Sequence, residues 1–301
     1  MPDIAVMPDS LVSQVAAGEV VERPASVVKE LIEKSLDAGA GQIEVYVQRG
    51  GISMIRVLDD GKGMTREDAL LSIERHATSK LRTKEDLADI GTFGFRGEAL
   101  PSIASVSRFQ LTSRRHEALD GTEINIEGGR LQDVRESGSA PGTQIEVRSI
   151  FFNLPARRKF LRAESTELSH VEHQVRVHAA AHPDVGFNFR HGDRLALQLP
   201  KDQSMAERLS SLAGAEVFEK LVRISPSESH GVGVEGWASP PGFGRGSKNL
   251  QYVFINGRPV DAAAVNVAAR EVYRRLLPQG QHPVLFLYLS MDRGEVDVNV
   301  H

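Results

Sequence analysis

Residues 27–39 read VVKELIEKSLDAG and carry apolar side chains at the i, i+3, i+4 spacing of an amphipathic helix. Gly39 at the end of this stretch is a typical helix stop signal. At about 100° per residue, Glu30, Lys34 and Asp37 lie together on an arc away from the apolar stripe. Such an arc indicates either a solvated surface, with an ordinary Glu30–Lys34 pair, or a site that handles phosphate. The helix alone favours the surface.

The residues after this helix predict a layer of strands. Thr65 and Asp68 form a capping-box pattern, which predicts a helix to about Arg75. Helix, strand, strand, helix and then a run of strands indicate an α+β sandwich, with helices on one face of a mainly antiparallel sheet. The alternating runs that predict these strands are QIEVYVQ, ISMIRVLD, RFQLTSR, TEINIEG and TQIEVRS.

A second, smaller α/β domain is predicted beyond LPKDQSMAE at residues 199–207, the best linker candidate. We therefore expect an ATP-binding or other larger domain at residues 1–203 and the smaller one at 204–301. Its helix is predicted at AAAVNVAAREVYRRLL, and its strands at GVGVEGW, QYVFING, PVLFLYLSM and EVDVNV.

Composition limits the function classes. Of 301 residues, 41% are hydrophobic and 25% charged, which is typical of a globular protein. The formal net charge of −4 means that any contact with nucleic acid must come from local patches. The absence of cysteine excludes disulfides, thiolate zinc sites and cysteine nucleophiles. We see no export signal and no apolar run long enough for a membrane span, and we expect a cytoplasmic protein, nucleoid-associated if bacterial.

Two familiar nucleotide-binding patterns are excluded. GVGVEG at residues 231–236 matches G-x-G-x-x-G, but WASPPG follows it and cannot continue as the helix that binds pyrophosphate. We predict a β-strand there. The sequence also contains no G-x-x-x-x-G-K-[ST], so a P-loop is excluded.

DDGKGM at residues 59–64 is a candidate pocket floor. Asp59 continues the core-facing side of its strand, so its carboxylate must find donors, and an exocyclic amine such as adenine N6 is one. Gly61 and Gly63 leave room for a flat group near the backbone. The plain alternative is an Asp-Gly turn.

GTFGFRGEAL at residues 91–100 is a glycine-rich stretch that runs into a helix. Its backbone N–H groups and the helix N-terminus can bind an anion, and Arg96 adds charge. Lys80 just upstream can fold over phosphates, although a solvated lysine is the simpler interpretation. The polar region 76–97 is predicted to be a functional lid or a disordered loop.

ARRKFLR at residues 156–162 places four cations beside Phe160. Such a cluster binds nucleic-acid phosphates or forms an ordinary basic surface helix. The histidines show no ligand spacing, and no metal-only site is predicted.

These separate signals become specific through their order. Glu30 followed by DDGKGM, ATSK, GFRGEAL and PGTQIEV resembles the motif series of the gyrase, heat-shock chaperone, histidine kinase and MutL ATPase superfamily. Over residues 11–301 the chain resembles the N-terminal fragment of MutL-type DNA mismatch repair proteins. The resemblance implies an ATPase α/β sandwich followed by a ribosomal-protein-S5-like α/β domain. It is carried by QVAAGEVVERPASVVKEL, LDAGA, RHATSK, GFRGEAL, FFNLPARRKFLR, VFINGRPV and DVNVH.

The resemblance assigns roles to residues. Glu30 is implied as the catalytic base that polarises water, Asp59 as the adenine-binding carboxylate, and Thr143 as its support through water. The basic residues implied to contact DNA are Arg157, Arg158, Lys159, Arg162 and Arg258. The implied nucleotide-binding set is Lys34, Asp37, Asp59, Gly61, Gly63, Met64, Thr78, Ser79, Lys80, Gly94, Phe95, Arg96, Gly97, Glu98, Ala99, Leu100 and Thr143.

The sequence departs from the family pattern at position 34. The family writes E-x-x-x-N there, and the asparagine oxygen holds Mg²⁺, whereas a protonated lysine has no lone pair to offer. Lys34 is therefore expected either to contact phosphate directly or to pair with Glu30. A family lysine beyond DVNVH that reaches the γ-phosphate would follow His301. For both reasons we expect ATP to bind, Mg²⁺ binding to be in doubt, and hydrolysis to be impaired.

Together these features predict an ATP-dependent switch of mismatch repair that dimerises when its lid closes. The partners implied are DNA with little sequence preference, a second copy or paralogue, a mismatch-recognition protein and downstream repair enzymes, with no membrane. The alternative is a DNA-binding or scaffold module that does not hydrolyse ATP. A chaperone or kinase of the same superfamily is disfavoured, because VERPASVVKEL and FFNLPARRKFLR are specific to the mismatch-repair branch.

Overall fold

The computed structural model describes residues 18, 20–80, 92–94 and 97–296. The contacts divide them into two compact units. The first unit takes the described residues up to 80, those of Thr92–Val175, and Val185–Lys201. The second takes Arg176–Asp184 and the described residues from Asp202 onward. The predicted domain boundary between residues 203 and 204 stays a prediction.

The described helices fall on both units. A long helix, α5, begins in the first unit and ends in the second. The helices before it belong to the first unit and those after it to the second. Their bounds are α1 Pro24–Asp37, α2 Arg66–Ser72, α3 Ala99–Ser105, α4 Pro155–Phe160, α5 Glu164–Ala181, α6 Met205–Ala213, α7 Ala215–Phe218 and α8 Ala263–Tyr273.

An eight-stranded sheet forms the body of the first unit. The strands are β1 Gln42–Gln48, β2 Met54–Asp59, β3 Arg108–Arg114, β4 Gly121–Glu127, β5 Arg130–Ser137, β6 Gly142–Arg148, β7 Gly186–His191 and β8 Arg194–Leu199. They run in the order β5-β4-β3-β6-β2-β1-β7-β8, and every neighbouring pair is antiparallel except β1 with β7. The predicted mainly antiparallel sheet is confirmed.

Helix α1 forms where the sequence predicts it. Pro24 occupies its first turn, where a missing N–H costs nothing, and Gly39 just past its end has φ +72°, a left-handed conformation suited to glycine. The apolar stripe, including Leu31 and Ile32, is buried. The helix packs on β1 and β2. Its polar arc therefore faces away from the core that this packing creates.

Strand β2 carries the candidate carboxylate to the edge of the core. Ile55, Val57 and Asp59 are buried on one face, while Leu58 is exposed on the other. In the sheet, Asp59 lies opposite Ile43 of β1 and opposite Thr143 of β6. The period of two residues therefore places Asp59 on the core-facing side, as predicted.

Three boundaries differ from the sequence prediction. Helix α2 ends at Ser72 rather than near Arg75, because Ile73 already acts as its C-cap. Helix α8 spans Ala263–Tyr273, shorter than the predicted 262–277. The start of EVDVNV lies in a 3-10 turn, Arg293–Glu295, rather than in a strand. The rest of EVDVNV, residues 297–301, and the helix candidate TKEDLADI lie outside the described residues.

The second unit contains a five-stranded sheet. Its strands are β9 Val222–Ser229, β10 Val232–Ala238, β11 Gln251–Ile255, β12 Arg258–Pro259 and β13 Leu285–Ser290, in the order β12-β11-β13-β10-β9. Strand β10 confirms that GVGVEG is part of a strand. Tyr252 meets Phe286 edge-on at 5.4 Å between ring centroids, and Phe254 stacks on Tyr288 at 4.9 Å. These rings form much of the unit's core.

Candidate functional site

A cavity of about 410 Å³ opens in the first unit between α1, the end of β2 and the start of α3. It gathers residues from distant parts of the sequence that were predicted to act together. Those of the predicted set that line it are Lys34, Asp37, Asp59, Gly63, Met64, Thr78, Ser79, Lys80, Gly94, Gly97, Ala99, Leu100 and Thr143.

Not every predicted residue lines the cavity. Gly61 lies behind the wall, and so does Glu98, the N-cap residue of α3. Glu30 is half-buried on α1, one helical turn before Lys34, and is also outside the lining. Phe95 and Arg96 lie outside the described residues. The structure therefore brings together the floor and both sides of the predicted site.

Asp59 is the buried carboxylate of the cavity, only 7% exposed. Its Oδ2 accepts a hydrogen bond from Ser35 Oγ at 2.7 Å, and its Oδ1 accepts one from the backbone N–H of Gly61 at 3.0 Å. The backbone N–H of Thr143 donates to the same carboxylate. Ser35 Oγ also lies 3.1 Å from the carbonyl oxygen of Leu31. These contacts fix the carboxylate on the strand end.

Burial raises the pKa of Asp59 above its usual value, because an ionised carboxylate loses solvation at this position. The hydrogen bonds from Ser35, Gly61 and Thr143 act in the opposite direction and lower the pKa, while the nearby charge of Asp60 raises it. Desolvation is the largest of these effects. A carboxylate kept here against its desolvation cost is typical of a ligand-binding role.

The glycines after Asp59 bring the backbone close to its neighbours. Gly63 has φ +64°, and a Cβ there would lie 2.0 Å from the carbonyl oxygen of Arg114. A Cβ on Gly61 would lie 2.9 Å from the Cβ of Ala38. Only glycine fits the backbone at position 63 without a shift of the chain.

Ser113 organises the wall opposite α1. This buried hydroxyl lies 3.0 Å from the carbonyl oxygen of Gly142, to which it donates, and it accepts from the backbone N–H of Met64 at 2.9 Å. The Thr143 hydroxyl lies 2.9 Å from Ser113 Oγ. Thr143 is thereby oriented beside Asp59 by its neighbour on β3.

Asp37 holds the glycine-rich stretch against α1. Its carboxylate accepts from the backbone N–H groups of Phe93 at 3.0 Å and Gly94 at 3.2 Å. Lys80 Nζ lies 3.6 Å from Asp37 Oδ2. The one carboxylate therefore ties both sides of the predicted lid, residues 78–80 and 92–94, to the helix.

Lys34 projects toward the same stretch. Its Nζ lies 3.5 Å from the position that a Cβ on Gly94 would take. The ion pair that α1 forms joins Lys29 and Glu33, with 4.0 Å between Nζ and Oε1. Within the described part of the chain, the Lys34 ammonium has no ion pair and no side-chain hydrogen bond. The expected pairing of Lys34 with Glu30 is therefore not the arrangement found.

The cavity does not fit a protein-bound Mg²⁺ at position 34. Mg²⁺ takes oxygen ligands in near-octahedral geometry, and a protonated lysine supplies none. Among the described residues, no group of three or more histidine, aspartate or glutamate side chains is placed to hold a metal ion.

Several lining residues were not predicted from the sequence. Ser35 and Ser113 are the most informative, because they hold Asp59 and Thr143. The need of a buried carboxylate for donors was the available signal, but the sequence does not tell which helix residue meets the strand end. The other unpredicted lining residues are Lys62, Asp68, Leu71, Ser72, Ala77, Arg115, Val57 and Ile145.

The basic helix α4 is largely exposed. Arg158, Lys159 and Arg162 face solvent, and Phe160 is 84% exposed. Arg157 differs, since its Nη1 donates to the carbonyl oxygen of Val21 at 3.2 Å. Arg258 belongs to the second unit, in β12.

The fold and the cavity define a class of protein. The family model of the histidine kinase-, DNA gyrase B- and HSP90-like ATPases matches residues 22–144, and that of the DNA mismatch repair protein C-terminal domain matches residues 209–301. The chain thus combines an ATPase domain of this superfamily with a mismatch-repair domain. No helix among the described residues has the length and apolar character needed to cross a membrane.

Individual relatives specify the family. The DNA mismatch repair protein MutL of Akkermansia muciniphila is 52% identical over 301 residues, which are 100% of this chain and 47% of the relative. The ADP complex of the Aquifex aeolicus MutL ATPase domain is 34% identical, with a TM-score of 0.69 over 91% of this chain and 93% of that one. The chain belongs to the MutL family of DNA mismatch repair proteins. It spans about half the length of the curated relatives it matches.

Proposed function

We propose that this chain is the ATP-dependent switch of a DNA mismatch repair protein. The observation that carries the proposal is Asp59, a buried carboxylate with a raised pKa that Ser35 and Gly61 hold at the floor of the cavity. A structure described as an ADP complex of a MutL ATPase domain supports a nucleotide at the corresponding place.

The cavity offers a different chemistry to each end of a nucleotide. Asp59 accepts a hydrogen bond from the exocyclic amine of adenine, with Gly63 leaving room for the ring and Thr143 supporting the contact through water. The phosphates lie toward the cations Lys34 and Lys80 and toward the start of α3, whose N-terminal N–H groups favour negative charge.

Hydrolysis is the impaired step in this proposal. Glu30 acts as the base that orients the attacking water. Lys34 does not provide the oxygen ligand that an asparagine would supply at this position. We expect Lys34→Asn to raise the rate of Mg²⁺-dependent ATP turnover above that of the wild type. Equal, robust rates in the two proteins would contradict an impairment caused by Lys34.

Nucleotide binding has a conformational consequence in this proposal. Asp37 already holds residues 92–94 and Lys80, so phosphates bound between them order the lid. Lid closure then drives pairing with a second copy or a paralogue, and the paired chains contact DNA and signal to mismatch-recognition and downstream repair proteins.

The second candidate is a DNA-binding or scaffold module without nucleotide chemistry, which the exposed cations of α4 favour. Isothermal titration with a non-hydrolysable ATP analogue separates the two. A switch gives saturable binding heat that Asp59→Asn abolishes. The neighbouring Asp60→Asn is the matched control, because Asp60 lies outside the cavity lining and caps the Gly41 and Gln42 N–H groups. A chain without binding heat would be a scaffold.

A further inference from the structure

The cavity contains a cation without a counter-ion. The Lys34 ammonium points to the glycine-rich stretch, 3.5 Å from the position of a Cβ on Gly94. The nearest candidate partner, Asp37, already accepts from Phe93 and Gly94 and pairs with Lys80. A partly buried charge without a partner is unfavourable, and a bound anion relieves it.

The charges around Lys34 favour an anion over a metal ion. Four cations line the cavity, and they outnumber the three carboxylates. A divalent cation beside the Lys34 ammonium meets like charge, and the ammonium has no lone pair for it. The same ammonium, with three N–H donors, is well suited to phosphate oxygens. The lining residues concerned are Lys34, Lys62, Lys80 and Arg115 against Asp37, Asp59 and Asp68.

We propose that this site takes the nucleoside polyphosphate without a divalent cation, with the Lys34 ammonium donating to the phosphate oxygens in the metal's place. The proposal rests on the proposed function, because it requires that a nucleotide occupies the cavity. It specifies the form of the ligand as the metal-free nucleotide. No bond is made or broken, and the ammonium stays protonated throughout.

The test is calorimetric titration of the chain with AMP-PNP, once in excess EDTA and once in excess Mg²⁺. For the wild type we expect dissociation constants that agree within about threefold in the two buffers. Lys34→Asn removes the cation and introduces an oxygen ligand. For this variant we expect binding in EDTA to be at least about tenfold weaker than in Mg²⁺.

Two further variants make the result specific to position 34. Lys29→Asn is the matched control, the same exchange on the same helix, since Lys29 pairs with Glu33 and does not line the cavity. It is expected to bind as the wild type does. Lys34→Arg keeps the charge and the donors, and is expected to remain independent of Mg²⁺.

Each outcome decides a different statement. A wild type that binds AMP-PNP only in Mg²⁺, or a Lys34→Asn variant that binds equally in both buffers, overturns the metal-free inference while leaving the nucleotide site intact. Absence of binding by the wild type in both buffers overturns the proposed function itself, and the inference with it. Circular dichroism of each variant excludes loss of folding as the cause of lost binding.

Discussion

At the scale of single residues, Asp59 separates stability from function. Asp59→Asn can satisfy every local hydrogen bond, because its Oδ1 accepts from Gly61 and its Nδ2 donates to Ser35 Oγ, which turns its proton to the Leu31 carbonyl oxygen. The substitution also removes an ionised group whose burial is costly. We expect the free energy of unfolding of the nucleotide-free variant to stay within about 1 kcal/mol of the wild type.

The same variant is expected to lose nucleotide binding, because an amide nitrogen then occupies part of the acceptor that adenine requires. Thermal unfolding with and without ADP measures both effects. The wild type should gain about 2.7 kcal/mol when ADP is present at 100 times its dissociation constant, and Asp59→Asn should gain nothing. A variant that unfolds at low temperature without ADP would show that Asp59 is structural rather than a binding residue.

Gly63 makes a backbone prediction of the same kind. Its φ of +64° is strained for other residues, and a Cβ would lie 2.0 Å from the Arg114 carbonyl oxygen. We expect Gly63→Ala to lower the free energy of unfolding by at least about 2 kcal/mol, measured by urea denaturation. Gly138→Ala is the control, because nothing lies within 4 Å of its Cβ position, and a change within about 0.5 kcal/mol is expected. Equal losses in the two variants would contradict the steric explanation.

At the level of the site, sequence reasoning was limited by register. The face on which Asp59 lies follows from the alternation of β2, and this was predicted correctly. That Ser35 is its donor depends on how α1 sits on β2, and that Ser113 orients Thr143 depends on the pairing of β3 with β6. Such contacts between elements distant in sequence are not encoded in any local pattern.

At the scale of secondary-structure elements, the basic helix α4 yields a prediction about DNA. Arg158 is exposed, whereas Arg157 donates to the Val21 carbonyl oxygen. If Arg158 contacts a phosphate, Arg158→Ala should lower the slope of log affinity against log salt by about one for a duplex oligonucleotide. Fluorescence anisotropy over a salt series measures it.

The control for α4 is Arg194→Ala, which removes an exposed arginine at the start of β8. This variant should keep the slope of the wild type. If both variants change the slope equally, DNA is bound by the general charge of the chain and α4 has no special role. The slope is more informative than a single affinity, because phosphate contacts dominate binding and are strongly salt-dependent.

Prediction of the elements succeeded where a pattern was amphipathic and failed where it was not. Helix α1 and strands β1 and β2 each bury one face cleanly, and their sequence periods reveal this. Strands β5 and β9 were not predicted, because both lie at sheet edges and are almost wholly exposed, so their residues show no alternation. Edge strands gain their order from a neighbour rather than from their own hydrophobic pattern.

At the scale of the whole molecule, two compact units predict two responses to solution conditions. His182 belongs to the second unit, and burial lowers its pKa to about 4 from the usual 6.5. The charges of His178 and Arg208 also lower the pKa, while Asp184 raises it. The folded unit therefore resists taking up a proton that the unfolded chain accepts.

The sign of the pH dependence follows from this difference. His182 contributes stability above pH 6.5, and that contribution is lost as the pH falls from 6.5 toward 4, by up to roughly 3 kcal/mol. Differential scanning calorimetry between pH 7.5 and pH 5 should show the transition of the second unit moving to lower temperature. His182→Gln, which cannot be protonated, should flatten that response. ADP should raise only the transition of the first unit, because the cavity lies wholly within it. A single transition that follows both pH and ADP would mean that the two units unfold together.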